Sequence, residues 1–226
     1  MINKLPKWVE IGGFFLALIA GSVNAIALRG FNHQGVSHLS GSSTLLGVEL
    51  AAGNLAEVLH LALILLSFVA GAVVSGFVIG GESLRLGRRY GVALLAESAL
   101  LLGAMVFLNR GSLLGHYLAS GACGLQNAMT STFSGAVVRT THVTGLFTDL
   151  GVTLGLWLRG QRADRRRVVL YFTLIAGFIL GGVFGTLGFS AYRFDTLIAP
   201  AALAAAIALA YLWYWKRTRR LEAGVS

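Results

Sequence analysis

Cysteine, proline and charge are all scarce in this chain, and each scarcity removes a class of protein. One cysteine, Cys123, stands among 226 residues, which excludes an internal disulfide framework and a cysteine-based metal centre. Two prolines stand against 30 glycines, the balance expected of helices packed closely through small residues. Charged residues make up 12% of the chain, against about 25% in soluble domains. No polar stretch is long enough to hold a separate soluble domain. H-E-x-x-H, G-x-S-x-G and paired acidic metal motifs are all missing, so the chain does not read as an enzyme.

What fills the chain instead is apolar. Hydrophobic residues account for 56% of it and the mean hydropathy is +0.75. Several apolar runs approach the roughly 20 residues that cross a hydrocarbon core. The expectation is an all-α polytopic membrane protein forming a single integral membrane domain. The net charge of +9 sits in short loops between apolar runs, which reads as a positive-inside signal rather than a nucleic-acid surface. The first run has no small-residue cleavage site after a short core and is read as a retained span. Trp157, Trp213, Tyr214 and Trp215, beside basic loops, fit an interfacial aromatic belt.

Eight apolar segments can be drawn, at 9–28, 36–53, 57–80, 91–108, 112–132, 137–158, 168–189 and 195–215. Two of them open with polar residues. One begins Ser37-His38-Leu39-Ser40-Gly41-Ser42-Ser43-Thr44, and the other begins Arg139-Thr140-Thr141-His142-Val143-Thr144-Gly145. Lipid penalises such a start, so the pattern predicts broken or re-entrant helices buried in protein or facing a cavity.

Charge placement tests that prediction. The basic clusters are Lys4 and Lys7; Arg85, Arg88 and Arg89; Arg159, Arg162 and Arg165 to Arg167; and Lys216, Arg217, Arg219 and Arg220. If all eight segments cross, the second cluster falls on the outer side. If the two polar-headed segments enter and leave on one side, six spans remain and every cluster becomes cytoplasmic, as the positive-inside rule favours.

The halves of the chain match. Residues 38–50 and 142–154 share the pattern H-x-[ST]-G-x-x-T-x-L-G-V-x-L at an offset of 104. Upstream, Gly21-Ser22-Val23-Asn24-Ala25 aligns with Gly124-Leu125-Gln126-Asn127-Ala128; downstream, Ala70-Gly71 and Gly76 align with Ala176-Gly177 and Gly182. In the six-span topology, copies related this way run in opposite directions. The predicted architecture is two inverted repeats, 1–108 and 109–226, each with three full spans and one half-helix. Inverted repeats with discontinuous helices are an arrangement of secondary transporters.

Helix N-termini carry unpaired N–H groups and partial positive charge, which suits them to anions. Ser40, Ser42, Ser43 and Thr44 in the first copy, with Thr140, Thr141 and Thr144 in the second, offer hydroxyls beside those ends. Gly41 and Gly145 would let a ligand approach the backbone, and Asn24 and Asn127 would add amides. Arg139 replaces Gly35 of the first copy. It reads either as a cationic partner for the solute, or as a snorkelling residue or partner of Asp149. His38 and His142 either meet the solute or brace their own helices. Three acids, Glu49, Glu97 and Asp149, fall inside apolar runs, where acids mark ion or proton pathways; Glu97 is the deepest. No metal site and no cofactor is expected.

Gly21-x-x-Asn24-Ala25, His38-x-Ser40-Gly41, Gly124-x-x-Asn127-Ala128 and Thr141-His142-x-Thr144-Gly145 resemble the YoaK-like family of bacterial inner-membrane proteins. The resemblance spans about residues 9–215 and implies six spans and an inner-membrane location, without naming a substrate. Facing half-helices in inverted repeats are also similar to a reduced form of the core in nucleobase and sulfate-type transporters.

The expected function is a small secondary transporter or exchanger for an anionic or hydrogen-bonding solute bound near the midplane between two facing half-helix N-termini, with proton coupling as an option. A passive anion channel and a non-transporting membrane scaffold are the alternatives. The expected setting is the bacterial inner membrane, with both termini cytoplasmic and a second copy of the chain as partner. No nucleic-acid partner is expected.

Overall fold

In a computed structural model, residues 7–30, 35–80, 88–134, 139–162 and 164–223 are described. Lys4 and Arg85, named above, lie outside them, as do the start of segment 137–158 and the side chains of Lys7, Arg219 and Arg220. The described residues form α1 (Lys7–Gly30), α2 (Leu39–Ala52), α3 (Leu55–Ile79), α4 (Arg88–Asn109), α5 (Leu114–Ser134), α6 (Val143–Leu158), α7 (Arg165–Tyr192) and α8 (Ile198–Ala223). A 3-10 turn, Arg193–Leu197, joins α7 to α8.

Four helical stretches are long and apolar enough to cross a membrane: Trp8–Gly30, Leu55–Ile79, Arg88–Asn109 and Arg165–Arg217, the last holding α7 and most of α8. Helix α5 is not among them. It carries His116, Ser120, Gln126 and Thr130, and 13 of its 21 residues are buried. Polar groups at membrane depth are tolerated when protein rather than lipid surrounds them, and α5 is walled by α1, α3 and α4.

Side-chain pairs fix the helix directions. Near their starts α1 and α7 are joined by Glu10 Oε1 and Arg166 Nε at 2.7 Å, and near their ends Gly30 lies against Phe189, so they run parallel. Helices α3 and α5 are parallel too, meeting at His60 and Tyr117 and again at Gly71 and Leu125. By contrast, Trp8 at the start of α1 packs on Phe133 at the end of α5, ring centroids 5.8 Å apart. Gly91 near the start of α4 meets Leu212 of α8, and Asn109 at its end bonds Asp195. Thus α1, α4 and α7 run one way and α3, α5 and α8 the other.

That bookkeeping fixes where α2 and α6 lie. The chain leaves α1 and joins α3 at one end of the bundle, so α2 begins and finishes on that side. It leaves α5 and joins α7 at the opposite end, which places α6 there. Neither helix is long enough to cross alone. Their 14 and 16 residues extend about 21 and 24 Å, against a hydrocarbon core of about 30 Å. Each is preceded by a bent, non-helical lead-in, residues 35–38 and 139–142. The N-cap dihedrals nearly coincide: φ −101°, ψ 70° at His38 and φ −93°, ψ 56° at His142.

The tightest crossings repeat as well. A Cβ on Gly21 would overlap the Phe178 carbonyl, and one on Gly124 would overlap that of Phe68. Likewise Gly181 sits on Leu18 and Gly71 on Gly121. These pairs match Gly71 with Gly181 and Phe68 with Phe178. The sequence alignment above had paired Gly71 with Gly177, one helical turn earlier. Repeated glycines in a small-residue stripe hide such a slip, which backbone contact removes.

Candidate functional site

The first lead-in is closed by hydrogen bonds. Buried Asn24, from α1, accepts at Oδ1 from Ser37 Oγ at 3.0 Å and from Ser37 N at 3.3 Å. Ser42 Oγ reaches back to the Gly35 carbonyl at 3.1 Å. Ser120 Oγ, from α5, lies 3.1 Å from the Val36 carbonyl and 2.8 Å from that of Ile64. Gly35 makes this possible, because a Cβ there would sit 2.8 Å from Asn24 Oδ1.

Among the described residues the second lead-in shows none of these hydrogen bonds. Arg139 stands where the first copy has Gly35, buried Leu146 where it has Ser42, and Ala17 of α1 where α5 has Ser120. Asn127 Oδ1 is buried with no hydrogen-bond partner among the described residues, and so is Thr140 Oγ1, in a residue 1% exposed. Thr141 beside it is also buried. Buried polar atoms are nearly always paired, so an orphan at the start of α6 and another at the counterpart of Asn24 are informative.

The other expected site residues are distributed unevenly. His38, Ser40, Thr44, Arg139, His142 and Thr144 are exposed. Neither histidine caps its helix through its side chain. Each ring instead leans over its own first turn, where a Cβ on Gly41 would meet His38 Cδ2 at 3.3 Å and one on Gly145 would overlap the His142 ring. The space those glycines leave is therefore taken by imidazole. Thr44 Oγ1 is bonded to the Ser40 carbonyl at 2.9 Å. Glu49 is engaged at the α2–α3 turn, accepting from Asn54 Nδ2 at 2.9 Å. Asp149 is exposed, and no ion pair joins it to Arg139 among the described residues. Glu97 is 1% exposed, with Oε2 unpartnered among the described residues. Helices α2 and α6 do not touch each other; each lead-in has its own surroundings.

Sequence reasoning passed over a polar thread between α3 and α5. Tyr117 Oη lies 2.9 Å from His60 Nδ1, and His60 Nε2 lies 3.3 Å from His116 Nδ1. Deeper in α5, Gln126 Nε2 donates to the Leu16 carbonyl of α1 at 2.6 Å, leaving Gln126 Oε1 unpartnered. Histidines inside apolar runs were the available signal. Among the described residues no group of three His, Cys, Asp or Glu side chains is placed to hold a metal ion.

Apolar helices of spanning length around a polar, protein-shielded helix are compatible with a multi-pass helical membrane protein. Residues 12–210 match the family described as protein of unknown function DUF1275, and the chain belongs to that family. No curated protein and no solved structure matches the chain.

Proposed function

We propose that the chain is a small secondary transporter or exchanger for an anionic or hydrogen-bonding solute. The observation that carries this reading is Thr140 Oγ1, buried and unpartnered among the described residues just before the N-terminus of α6, with Asn127 Oδ1, the sequence counterpart of Asn24, buried and unpartnered on α5. A carboxylate that accepts from the Thr140 hydroxyl and from the first N–H groups of α6 would satisfy both, and a donor elsewhere on the solute would satisfy Asn127 Oδ1. Arg139, exposed one residue away, adds a full positive charge.

In this reading the two halves are inverted repeats. The opposed directions of α1 and α5, the matched N-cap dihedrals and the paired glycine crossings support it. The two-ended distribution of basic residues supports cytoplasmic termini: Arg88, Arg89, Arg165 to Arg167, Lys216 and Arg217 gather at one end of the bundle, and Arg29, Arg110 and Arg193 at the other. The bacterial inner membrane is the proposed location. A second copy of the chain is the proposed partner, because α2 buries only Ser42 and leaves Ser40, Ser43, Thr44 and Gly47 uncovered along one stripe. Glu97, unpartnered in the interior, is the proposed proton-coupling residue.

Uptake of small anions into proteoliposomes tests this function. Wild-type protein is expected to accumulate at least one solute, and Arg139→Ala and Thr140→Val to lose that uptake while the protein stays folded. Uptake unchanged by both substitutions would remove the site. Flux far above carrier turnover with no coupling would favour a channel.

A further inference from the structure

A cavity of about 450 Å³ opens between α1, α4, α5 and α8, at the end where α1 and α4 begin. That volume lies in the range of small-molecule sites, about 300–1,000 Å³. Trp8, Tyr90, Phe133, Tyr211 and Tyr214 wall it, with small and aliphatic residues between them. Tyr90 is 7% exposed, and its hydroxyl has no partner among the described residues. At the inner end Leu16 lines the cavity and carries Gln126 on its carbonyl.

The same four helices are shut at the opposite end. Gly12 lines the cavity, and a Cβ there would meet nothing within 4 Å. Gly115 is its counterpart in α5, in the register that pairs Gly21 with Gly124. A Cβ on Gly115 would lie 2.6 Å from Leu108 Cδ2 and 2.8 Å from the Ala104 carbonyl. Asn109 Nδ2 further ties the end of α4 to Asp195, just before α8. Equivalent positions are thus open at one end and packed at the other, as in a carrier facing one side.

We infer that this cavity is the solute vestibule, and that the solute is an organic anion with a flat apolar body, of the aromatic carboxylate class. The inference rests on the transport reading above and narrows its substrate. Aromatic walls with almost no polar surface suit a ring and give a small inorganic ion nothing to bind. The neighbouring chain ends carry Arg88, Arg89, Lys216 and Arg217, all exposed, which draw anions and repel cations. Tyr90 offers its unused hydroxyl to the carboxylate.

The test is thermal denaturation of the purified full chain in neutral detergent, titrated with 2-naphthoate, acetate, inorganic phosphate or phosphatidylglycerol. Naphthoate is expected to raise the wild-type midpoint and acetate and phosphate to leave it unmoved. Gly12→Phe fills open space, so it should keep its own midpoint and lose the naphthoate response; Ala210→Phe, on the same wall, serves if that variant fails to fold. Tyr90→Phe should weaken the response. No shift with naphthoate, a full shift in the filled variants, or a response to phosphatidylglycerol alone that the filled variants abolish would each overturn the inference. Naphthoate binding that Gly12→Phe removes, without any proteoliposome uptake, would uphold the site and sink the transport reading. Phosphate uptake indifferent to Gly12→Phe would do the reverse.

Discussion

The lead-ins of α2 and α6 share a sequence pattern, a bend and an N-cap geometry, yet among the described residues only the first is closed by hydrogen bonds. In the first, Asn24, Ser42 and Ser120 hold the chain around Ser37 and Val36. In the second, the equivalents of Ser42 and Ser120 are Leu146 and Ala17, and Asn127 and Thr140 keep unpartnered oxygens. Two segments of similar sequence thus share a backbone shape but differ in the hydrogen bonds made around them among the described residues. Unpaired buried polar atoms cost about 1–3 kcal/mol each, a cost that a bound solute would offset.

The strongest challenge to this contrast leaves the lead-ins alone. Gly21→Leu and Gly124→Leu would each drive a side chain into a backbone carbonyl of the neighbouring helix, and both are expected to abolish the folded protein in size-exclusion chromatography. Folding that survives one of them would show that the two crossings are not equivalent. At the lead-ins the copies should diverge. Asn24→Leu leaves Ser37 without its acceptor and is expected to cost about 2–3 kcal/mol in denaturant unfolding. Asn127→Leu removes an orphan and is expected to change stability by less than about 1 kcal/mol. Equal losses would erase the distinction.

Smaller changes sharpen it. Gly35→Ala places a Cβ against Asn24 Oδ1, and a cost of about 1–3 kcal/mol is expected in the same unfolding experiment. Ser120→Ala removes the hydroxyl shared by Val36 and Ile64 and should cost about 1 kcal/mol. Thr140→Val, by contrast, is expected to be neutral or slightly stabilising, because its hydroxyl is buried without a partner among the described residues.

Much of the fold was legible in the sequence. Polar residues at the head of an apolar run marked the two short helices that begin at Leu39 and Val143, because a span starting with His-x-Ser-Gly is costly in lipid. The distribution of arginines favoured six spans over eight; four stretches are long and apolar enough to cross. The candidate site was less legible. Glu97 stood out as an acid in an apolar run and is buried. Glu49 stood out for the same reason, but it serves the Gly53–Asn54 turn; hydropathy does not register where a helix ends inside an apolar run. His60, Tyr117 and Gln126 went unnoticed because their meaning depends on which helices lie side by side.

Composition, period and charge placement are properties of the chain, so the sequence alone pointed to an all-helical chain with apolar helices of membrane-spanning length and two polar-headed segments. Which oxygens find partners is a property of neighbours far apart in the chain: Ser120 reaches Val36 across 84 residues and Gln126 reaches Leu16 across 110. Only packing could decide that the first lead-in is sealed, that the second is left wanting, and that Gly12 faces open space while Gly115 is pressed against Leu108.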